Sequence, residues 1–299
     1  MAMLSRGYKR RTTGFVVADE HATALQIGDE PFQIYQQFKG KGVEVAVSED
    51  RVVAVSLLAM DIENLRAVVL DDAFQHRSIK PHLSILLTDY AQPYWQDNVL
   101  PHGYLREPIE GAARADIIIV SKCPDKLLSP ARRQAMLAEI NPLPHQKVLF
   151  SFLEYEQPYS CFEASKKISL HKNKNVFLFC GIANPAEMEA YVKKNANNVA
   201  TLFFPDHYNY KNKDILHIVN LFKAFAQKNK HDGGDNTIML TTEKDVARLW
   251  AYKDFADLGN LPLYALPVKV GFEANDEQEL QAALQNCLSE VSAMQDNLH

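Results

Sequence analysis

The sequence lacks several features that would place it in a common functional class. It has 4 cysteines in 299 residues and no C-x-x-C pair, which argues against a disulfide framework or a zinc site. Its net charge of -5 gives no electrostatic reason to expect nucleic-acid binding. No uncharged run approaches the roughly 20 apolar residues of a membrane-spanning helix, and the start does not resemble a signal peptide. We therefore expect a cytoplasmic chain that is at most peripheral to a membrane.

Three motifs of nucleotide and ester chemistry are also absent from the sequence. It contains no G-x-G-x-x-G fingerprint and no G-x-S-x-G elbow. The phosphate-binding pattern G-x-x-x-x-G-K-[ST] is approached once, at Gly40-Lys41, but Gly42 follows and Tyr35 stands where the first glycine would be. These 299 residues therefore contain no P-loop.

Apolar runs alternate with helical patterns along most of the chain. Strands are predicted at 43–48, 67–70, 83–88, 117–120, 176–180, 200–204, 237–240 and 263–266. Helices are predicted at 31–38, 129–139, 185–196, 211–229, 243–250 and from residue 276 onward. This alternation indicates an α/β fold with a mostly parallel sheet. A Pro- and Tyr-rich stretch at 154–159 and the length of the chain favour two domains, 1–150 and a smaller α/β domain at 151–299.

The most informative stretch is the predicted strand at 67–70 with the polar residues that follow it. Asp71 and Asp72 come directly after the strand, and Gln75 and His76 follow within four residues. An apolar run of this kind predicts a central parallel strand, and ligands bind beyond the carboxyl ends of such strands. Two carboxylates there suit a hydrated Mg²⁺ that also binds substrate phosphates. The alternative is a strand followed by an Asp-rich turn.

Four further candidate residues or motifs lie in predicted loops or at helix starts. Asp29, in Gly-Asp-Glu-Pro, could act chemically or could cap the helix that follows. Arg106 lies between rigid turn residues and could bind phosphate oxygens or form a surface ion pair. His207 follows a strand beside an aspartate and could be functional or structural. The segment T-T-E-K-D from Thr241 predicts by itself only the start of a helix.

Taken together, these motifs resemble the tetraacyldisaccharide 4'-kinase family, from Leu4 to about Trp250 and in the family's order. The motifs are L-S-R-G-Y, G-D-E-P, D-D-A-F-Q-H, L-P-x-G-x-L-R-E-P, F-x-D-H and T-T-E-K-D. The resemblance implies a P-loop-kinase-like core with a second domain across a cleft. It also implies transfer of the γ-phosphate of ATP to the 4'-hydroxyl of a tetraacyldisaccharide 1-phosphate. The enzyme would act in lipid A biosynthesis, at the cytoplasmic face of the inner membrane.

The resemblance also implies a role for each candidate residue. Asp29 resembles the base that takes the proton of the sugar hydroxyl, and His207 resembles the group that orients it across the cleft. Arg106 resembles the cation that stabilises charge on the transferring phosphoryl group. Asp71 and Asp72 resemble the Mg²⁺ ligands. Two nearby residues, Gln75 and His76, resemble polar support of the nucleotide site.

The sequence differs from the family pattern at its start, because members have a membrane-anchoring helix and a P-loop before L-S-R-G-Y. We expect a truncated chain that binds ATP·Mg²⁺ weakly and shows little 4'-kinase activity. We also expect an uncovered sheet edge beside Met1–Leu4. One alternative is a non-catalytic remnant of the family that keeps the fold. Another is a Mg²⁺-dependent hydrolase using Asp71 and Asp72, which leaves G-D-E-P and D-H without roles.

Overall fold

The computed structural model describes residues 1–124, 128–230 and 236–296, and it contains fourteen strands and eight α-helices within those ranges. The strands, numbered in chain order, are β1 (Ala2–Ser5), β2 (Val16–Val17), β3 (Glu44–Val47), β4 (Val68–Leu70), β5 (Ile85–Asp89), β6 (Ile117–Ser121), β7 (Lys147–Tyr155), β8 (Tyr159–Ser160), β9 (Glu163–Lys167), β10 (Asn175–Cys180), β11 (Val199–Phe203), β12 (Thr237–Thr242), β13 (Leu263–Leu266) and β14 (Val268–Phe272). The helices are α1 (Ala24–Ile27), α2 (Asp29–Phe38), α3 (Arg51–Asp61), α4 (Pro130–Ile140), α5 (Ala186–Asn195), α6 (Asn212–Lys228), α7 (Glu243–Leu249) and α8 (Ala274–Asp296). The predicted α/β class with mostly parallel pairing is confirmed.

The strands form three sheets. The first has the order β2-β3-β1-β4, in which β3, β1 and β4 are parallel. The second has the order β14-β7-β6-β5, with β7, β6 and β5 parallel and β14 antiparallel to β7. The third has the order β11-β10-β12-β13-β8-β9, and its first four strands are parallel. Parallel pairing brings the carboxyl ends of neighbouring strands to one edge, where binding sites of such sheets lie.

The position of β4 within its sheet corrects one prediction. The strand exists and is parallel to β1, as predicted, but within the described residues it lies at the edge of the first sheet and not at its centre. The side chain of Val69 is accordingly 50% exposed. The uncovered edge expected beside Met1–Leu4 is also wrong, because β1 pairs with β3 on one side and with β4 on the other.

Each sheet buries its own apolar face against helices. Leu58 of α3 packs on the first sheet, and Leu280 of α8 packs on the second beside Ile117 and Leu149. Phe222 of α6 covers one face of the third sheet. The last strand and helix of the chain thus join the sheet formed by β5, β6 and β7, while the domain division at about residue 150 stays a prediction.

Candidate active site

Asp29 lies at the first position of α2, where the chain turns sharply out of the preceding glycine. Gly28 has φ +97, a conformation that L side chains rarely adopt, and an added Cβ would lie 3.1 Å from the Tyr8 carbonyl oxygen. Gly28 is itself the N-cap residue, and no side-chain cap bond is present. The alternative reading of Asp29 as the helix cap is therefore wrong, and its carboxylate is directed to other partners.

Those partners come from the other half of the chain. The Oδ2 atom of Asp29 lies 3.3 Å from Nδ1 of His207, and it accepts hydrogen bonds from Nε (3.0 Å) and Nη2 (2.6 Å) of Arg248. All three contacts fall on Oδ2, and Oδ1 has no hydrogen bond with any described residue. The structure thus brings Asp29 and His207 together, although 178 positions separate them in the chain.

His207 lies in the loop after β11, where its backbone has φ 56 in the left-handed region. The backbone N–H of His207 donates to Oδ1 of Asp206 at 2.9 Å, which fixes this turn. Its Nε2 atom lies 3.2 Å from Nζ of Lys244 and 3.6 Å from Oδ2 of Asp206, and the Tyr8 ring meets the imidazole edge-on at 6.2 Å. A strained backbone at a polar cluster is typical of functional sites.

The helix α7 supplies two cations that the sequence analysis missed. Lys244 contacts His207 and also lies 3.2 Å from Oε1 of Glu30, while Arg248 binds Asp29. The predicted helix start is confirmed, since α7 begins at Glu243 and the Oγ1 atom of Thr242, its N-cap residue, accepts from the Asp245 N–H at 3.1 Å. The available signal was the i, i+4 spacing of Lys244 and Arg248, which places both cations on one side of α7.

Asp71 and Asp72 lie beside this cluster, at the carboxyl end of β4. The backbone N–H of Asp71 donates to the Leu4 carbonyl at 3.0 Å, which continues the pairing of β4 with β1. Burial raises the pKa of the Asp71 carboxyl, and the charges of Glu30 and Asp72 raise it further. Asp72 is exposed and has φ 45. Three carboxylates of like charge therefore share this edge of the sheet.

Arg106 contacts Asp72 from the loop before the turn at Ile109–Arg114. Its Nη1 atom lies 3.1 Å from Oδ1 and 3.0 Å from Oδ2 of Asp72, and both side chains are more than half exposed. An exposed pair of this kind contributes little to stability, so the guanidinium is free to exchange partners with a phosphate. Of the remaining predicted residues, Gln75 is exposed, and His76 has a buried Nε2 atom with no hydrogen-bond partner among the residues that the structure describes.

The side chains of Asp71 and Asp72 have the chemistry that a magnesium ion requires. No cluster of three or more His, Cys, Asp or Glu side chains that could hold a metal by themselves occurs among the described residues. Mg²⁺ needs fewer protein ligands than that, because it binds one or two carboxylates together with waters and phosphates. A cation would also relieve the repulsion that raises the pKa of Asp71. Asp71 and Asp72 are therefore suited to hold Mg²⁺.

Comparison with known proteins gives consistent matches over most of the chain. The family model described as tetraacyldisaccharide-1-P 4'-kinase matches residues 1–289. A tetraacyldisaccharide 4'-kinase of Parabacteroides distasonis is 40% identical over 293 residues, which are 94% of this chain and 75% of the relative. The protein of the same name from Flavobacterium johnsoniae is 37% identical over 291 residues, 97% of this chain and 78% of the relative.

One solved structure shares the fold. It is a crystal structure of LpxK from Aquifex aeolicus in complex with ATP, which is 24% identical in sequence. The match has a TM-score of 0.67 and covers 96% of this chain and 78% of that chain. At this level of identity the likeness supports the arrangement of strands and helices alone.

Proposed function

This chain belongs to the tetraacyldisaccharide-1-P 4'-kinase family, and we propose that its site transfers the γ-phosphate of ATP to the 4'-hydroxyl of a tetraacyldisaccharide 1-phosphate. The protein is then a phosphotransferase of lipid A biosynthesis, with ATP and an acylated disaccharide as substrates. The observation that carries the assignment of residues is the carboxylate of Asp29, which is held through one oxygen by His207 and Arg248.

Asp29 acts as the general base in this proposal. With Oδ2 engaged by three nitrogen atoms, Oδ1 is left to accept the proton of the 4'-hydroxyl while the 4'-oxygen bonds to the γ-phosphorus and ADP leaves. His207 donates from Nδ1 to Oδ2 and receives a hydrogen bond from Lys244 at Nε2, which keeps the imidazole in one tautomer. His207 and Arg248 together orient the carboxylate of Asp29, and such positioning accounts for much of phosphoryl-transfer catalysis.

Asp71, Asp72 and Arg106 balance the charge on the phosphates in this proposal. Asp71 and Asp72 would hold Mg²⁺, which when bound neutralises charge on the phosphate oxygens of ATP. Arg106 leaves Asp72 for the transferring phosphoryl group, where its guanidinium stabilises the charge that develops in the transition state. Gln75, which is exposed, and His76, which is half-buried, support this side of the site.

The substrate determines where the protein works. Its acyl chains are apolar and reside in a bilayer, so the sugar hydroxyl is reached from the membrane surface. No helix among the described residues is long and apolar enough to cross a membrane. We propose that the protein meets its lipid as a peripheral enzyme at the cytoplasmic face of the inner membrane.

The proposal is tested by a transfer assay with the full chain. Purified protein is incubated with γ-³²P-labelled ATP, Mg²⁺ and tetraacyldisaccharide 1-phosphate in mixed micelles, and label in the lipid is measured. The missing P-loop led to an expectation of little activity, whereas the family match over residues 1–289 favours transfer. We expect this transfer to require Mg²⁺ and to fall strongly in Arg106→Ala, whereas Arg132→Ala, at an exposed arginine of α4, keeps the wild-type rate. Absence of lipid labelling by the folded protein would contradict the proposed function.

A further inference from the structure

We propose that Arg248, anchored by the buried carboxylate of Asp245, is the positioning residue that fixes the orientation of Asp29. The inference rests on the proposed function of Asp29 as the base. It concerns residues outside the predicted site, because the T-T-E-K-D motif indicated no more than the start of a helix.

Asp245 is the fixed point of this arrangement. It is fully buried, and its carboxylate accepts hydrogen bonds from the Gly181 N–H at 3.0 Å, the Tyr210 hydroxyl at 3.0 Å and the Thr242 hydroxyl at 2.7 Å. Burial, and after it the charge of Asp245, raises the pKa of Tyr210, so this hydroxyl stays a donor. Partners directly after β10, at the end of β12 and near the start of α6 thus hold a single carboxylate orientation.

Arg248 carries that orientation to Asp29. Its Nη1 atom donates to Oδ1 of Asp245 and to the Gly181 carbonyl, both at 3.3 Å, and its side chain is 7% exposed. The opposite side of the guanidinium, Nε and Nη2, faces Asp29 Oδ2 at 3.0 and 2.6 Å. Because a guanidinium is planar and rigid, fixing one side of it fixes the other.

Arg248 restrains the rotation of the Asp29 carboxylate. A carboxylate held only by His207 at 3.3 Å could rotate about its Cβ–Cγ bond and exchange its two oxygens. Two donors from one rigid plane restrain that rotation and leave Oδ1 as the free oxygen. A neutral methylene stem or an ammonium group at position 248 could not restrain the carboxylate in this way.

Kinetics separate positioning from a merely structural role. In the full chain, Arg248→Ala should lower kcat roughly 10²-fold, which is the cost of about a 1 Å misplacement, with less than a threefold change in KM. Arg248→Lys should give an intermediate kcat, because it keeps the charge but not the fork.

The matched control is Arg133→Ala, which breaks another arginine–aspartate pair, Arg133 with Asp276, between α4 and α8. It should lower the melting temperature but leave kcat per folded molecule unchanged. If kcat per folded molecule falls in Arg133→Ala as it does in Arg248→Ala, or if Arg248→Ala retains wild-type kcat while Asp29→Asn loses it, Arg248 is not the positioning residue. In the second case the proposed function stands and this inference alone fails.

A spectroscopic readout decides the inference without turnover. Nitrogen-15 shifts of His207, assigned by comparison with His207→Gln, report which ring nitrogen carries the proton. We expect Nδ1 to be protonated in the wild type. Because Nη2 of Arg248 lies 3.4 Å from Nδ1 of His207 as well as 2.6 Å from Oδ2 of Asp29, removing the guanidinium should change the Nδ1 shift. Unchanged His207 shifts in Arg248→Ala overturn the inference, whether or not the protein phosphorylates the lipid.

Discussion

Replacing Asp29 is the most direct perturbation of the proposed chemistry. Asp29→Ala removes both carboxylate oxygens, while Asp29→Asn keeps the shape and an oxygen that can accept from Arg248. Neither side chain can take a proton from the sugar hydroxyl at neutral pH. Comparing the two variants therefore separates loss of the base from loss of the contact between α2 and α7.

The expected magnitude for the base follows from general-base catalysis. Losing a positioned base lowers kcat by roughly 10²–10⁴-fold, or about 2.7–5.4 kcal/mol of transition-state stabilisation. KM for both substrates should change little, because the proton moves in the transition state and not on binding.

The stability cost should differ between the two variants. Asp29→Ala leaves Arg248, 7% exposed, with Asp245 as its remaining carboxylate, so we expect about 1–3 kcal/mol of destabilisation. Asp29→Asn should lose less than this, because its amide oxygen can still accept from the guanidinium.

Steady-state phosphorylation of the lipid, scaled by the folded fraction from circular dichroism, measures the change in kcat. Urea unfolding measures the change in stability. We expect both variants to lose kcat to a similar extent while only Asp29→Ala loses marked stability. A kcat of Asp29→Asn within threefold of the wild-type value would refute the role as base. Asp29 would then be a structural partner of Arg248.

Three further predictions concern the surroundings of this site. The pKa of Asp71 is raised above its ordinary value of 3.8, so folding favours its protonated form and stability is lost as pH rises through the folded pKa. Asp71→Asn should therefore raise the melting temperature at pH 7 while abolishing transfer, and the gain should shrink toward pH 4. An unchanged or lower melting temperature would count against the repulsion between these carboxylates. Gly28→Ala places an alanine in a backbone with φ +97 and its Cβ 3.1 Å from the Tyr8 carbonyl oxygen, so we expect the free energy of unfolding to fall by more than about 1 kcal/mol and kcat to fall as well. In Gly40→Ala, where φ is +75 but the added Cβ meets nothing within 4 Å, the loss reports the backbone strain alone. Asp276→Ala removes the 2.6 Å partner of Arg133 and leaves Glu273, at 3.2 Å, as a carboxylate partner, so it should cost about 1–3 kcal/mol in urea unfolding. No measurable loss would show that the pair is not coupled to folding.

The sequence predicted the regular elements that have strong periodicity and clear ends. The strand at 263–266 was predicted with its observed bounds, and α4 was found through its N-cap serine and the proline at its first position. The helix α3 was missed because its valine-rich first turns do not distinguish a helix from a strand. Its cap, an Asp50 carboxylate that accepts from the Val53 N–H at 3.1 Å, was the available signal.

The candidate site was predicted in part, for a reason that can be stated physically. The resemblance to the family pointed to Asp29 and His207, which lie together in the structure. Arg248 could not be found in this way, because its role depends on the packing of α7 against α2. Contacts between residues 219 positions apart are set by tertiary packing and leave no local pattern in the sequence. The edge position of β4 was missed for the same reason, since strand order within a sheet is a tertiary property.

The return of β14 and α8 to the second sheet has a consequence for synthesis on the ribosome. Val268 pairs with Tyr155 although 113 residues separate them (268 minus 155), and Asp276 binds Arg133 and the Phe150 N–H. Folding during translation proceeds from the amino end, so β7 emerges long before its neighbour β14 has been made. Until then the apolar face at Ile117 and Leu149 is uncovered, and a nascent chain in this state is a natural client for a chaperone.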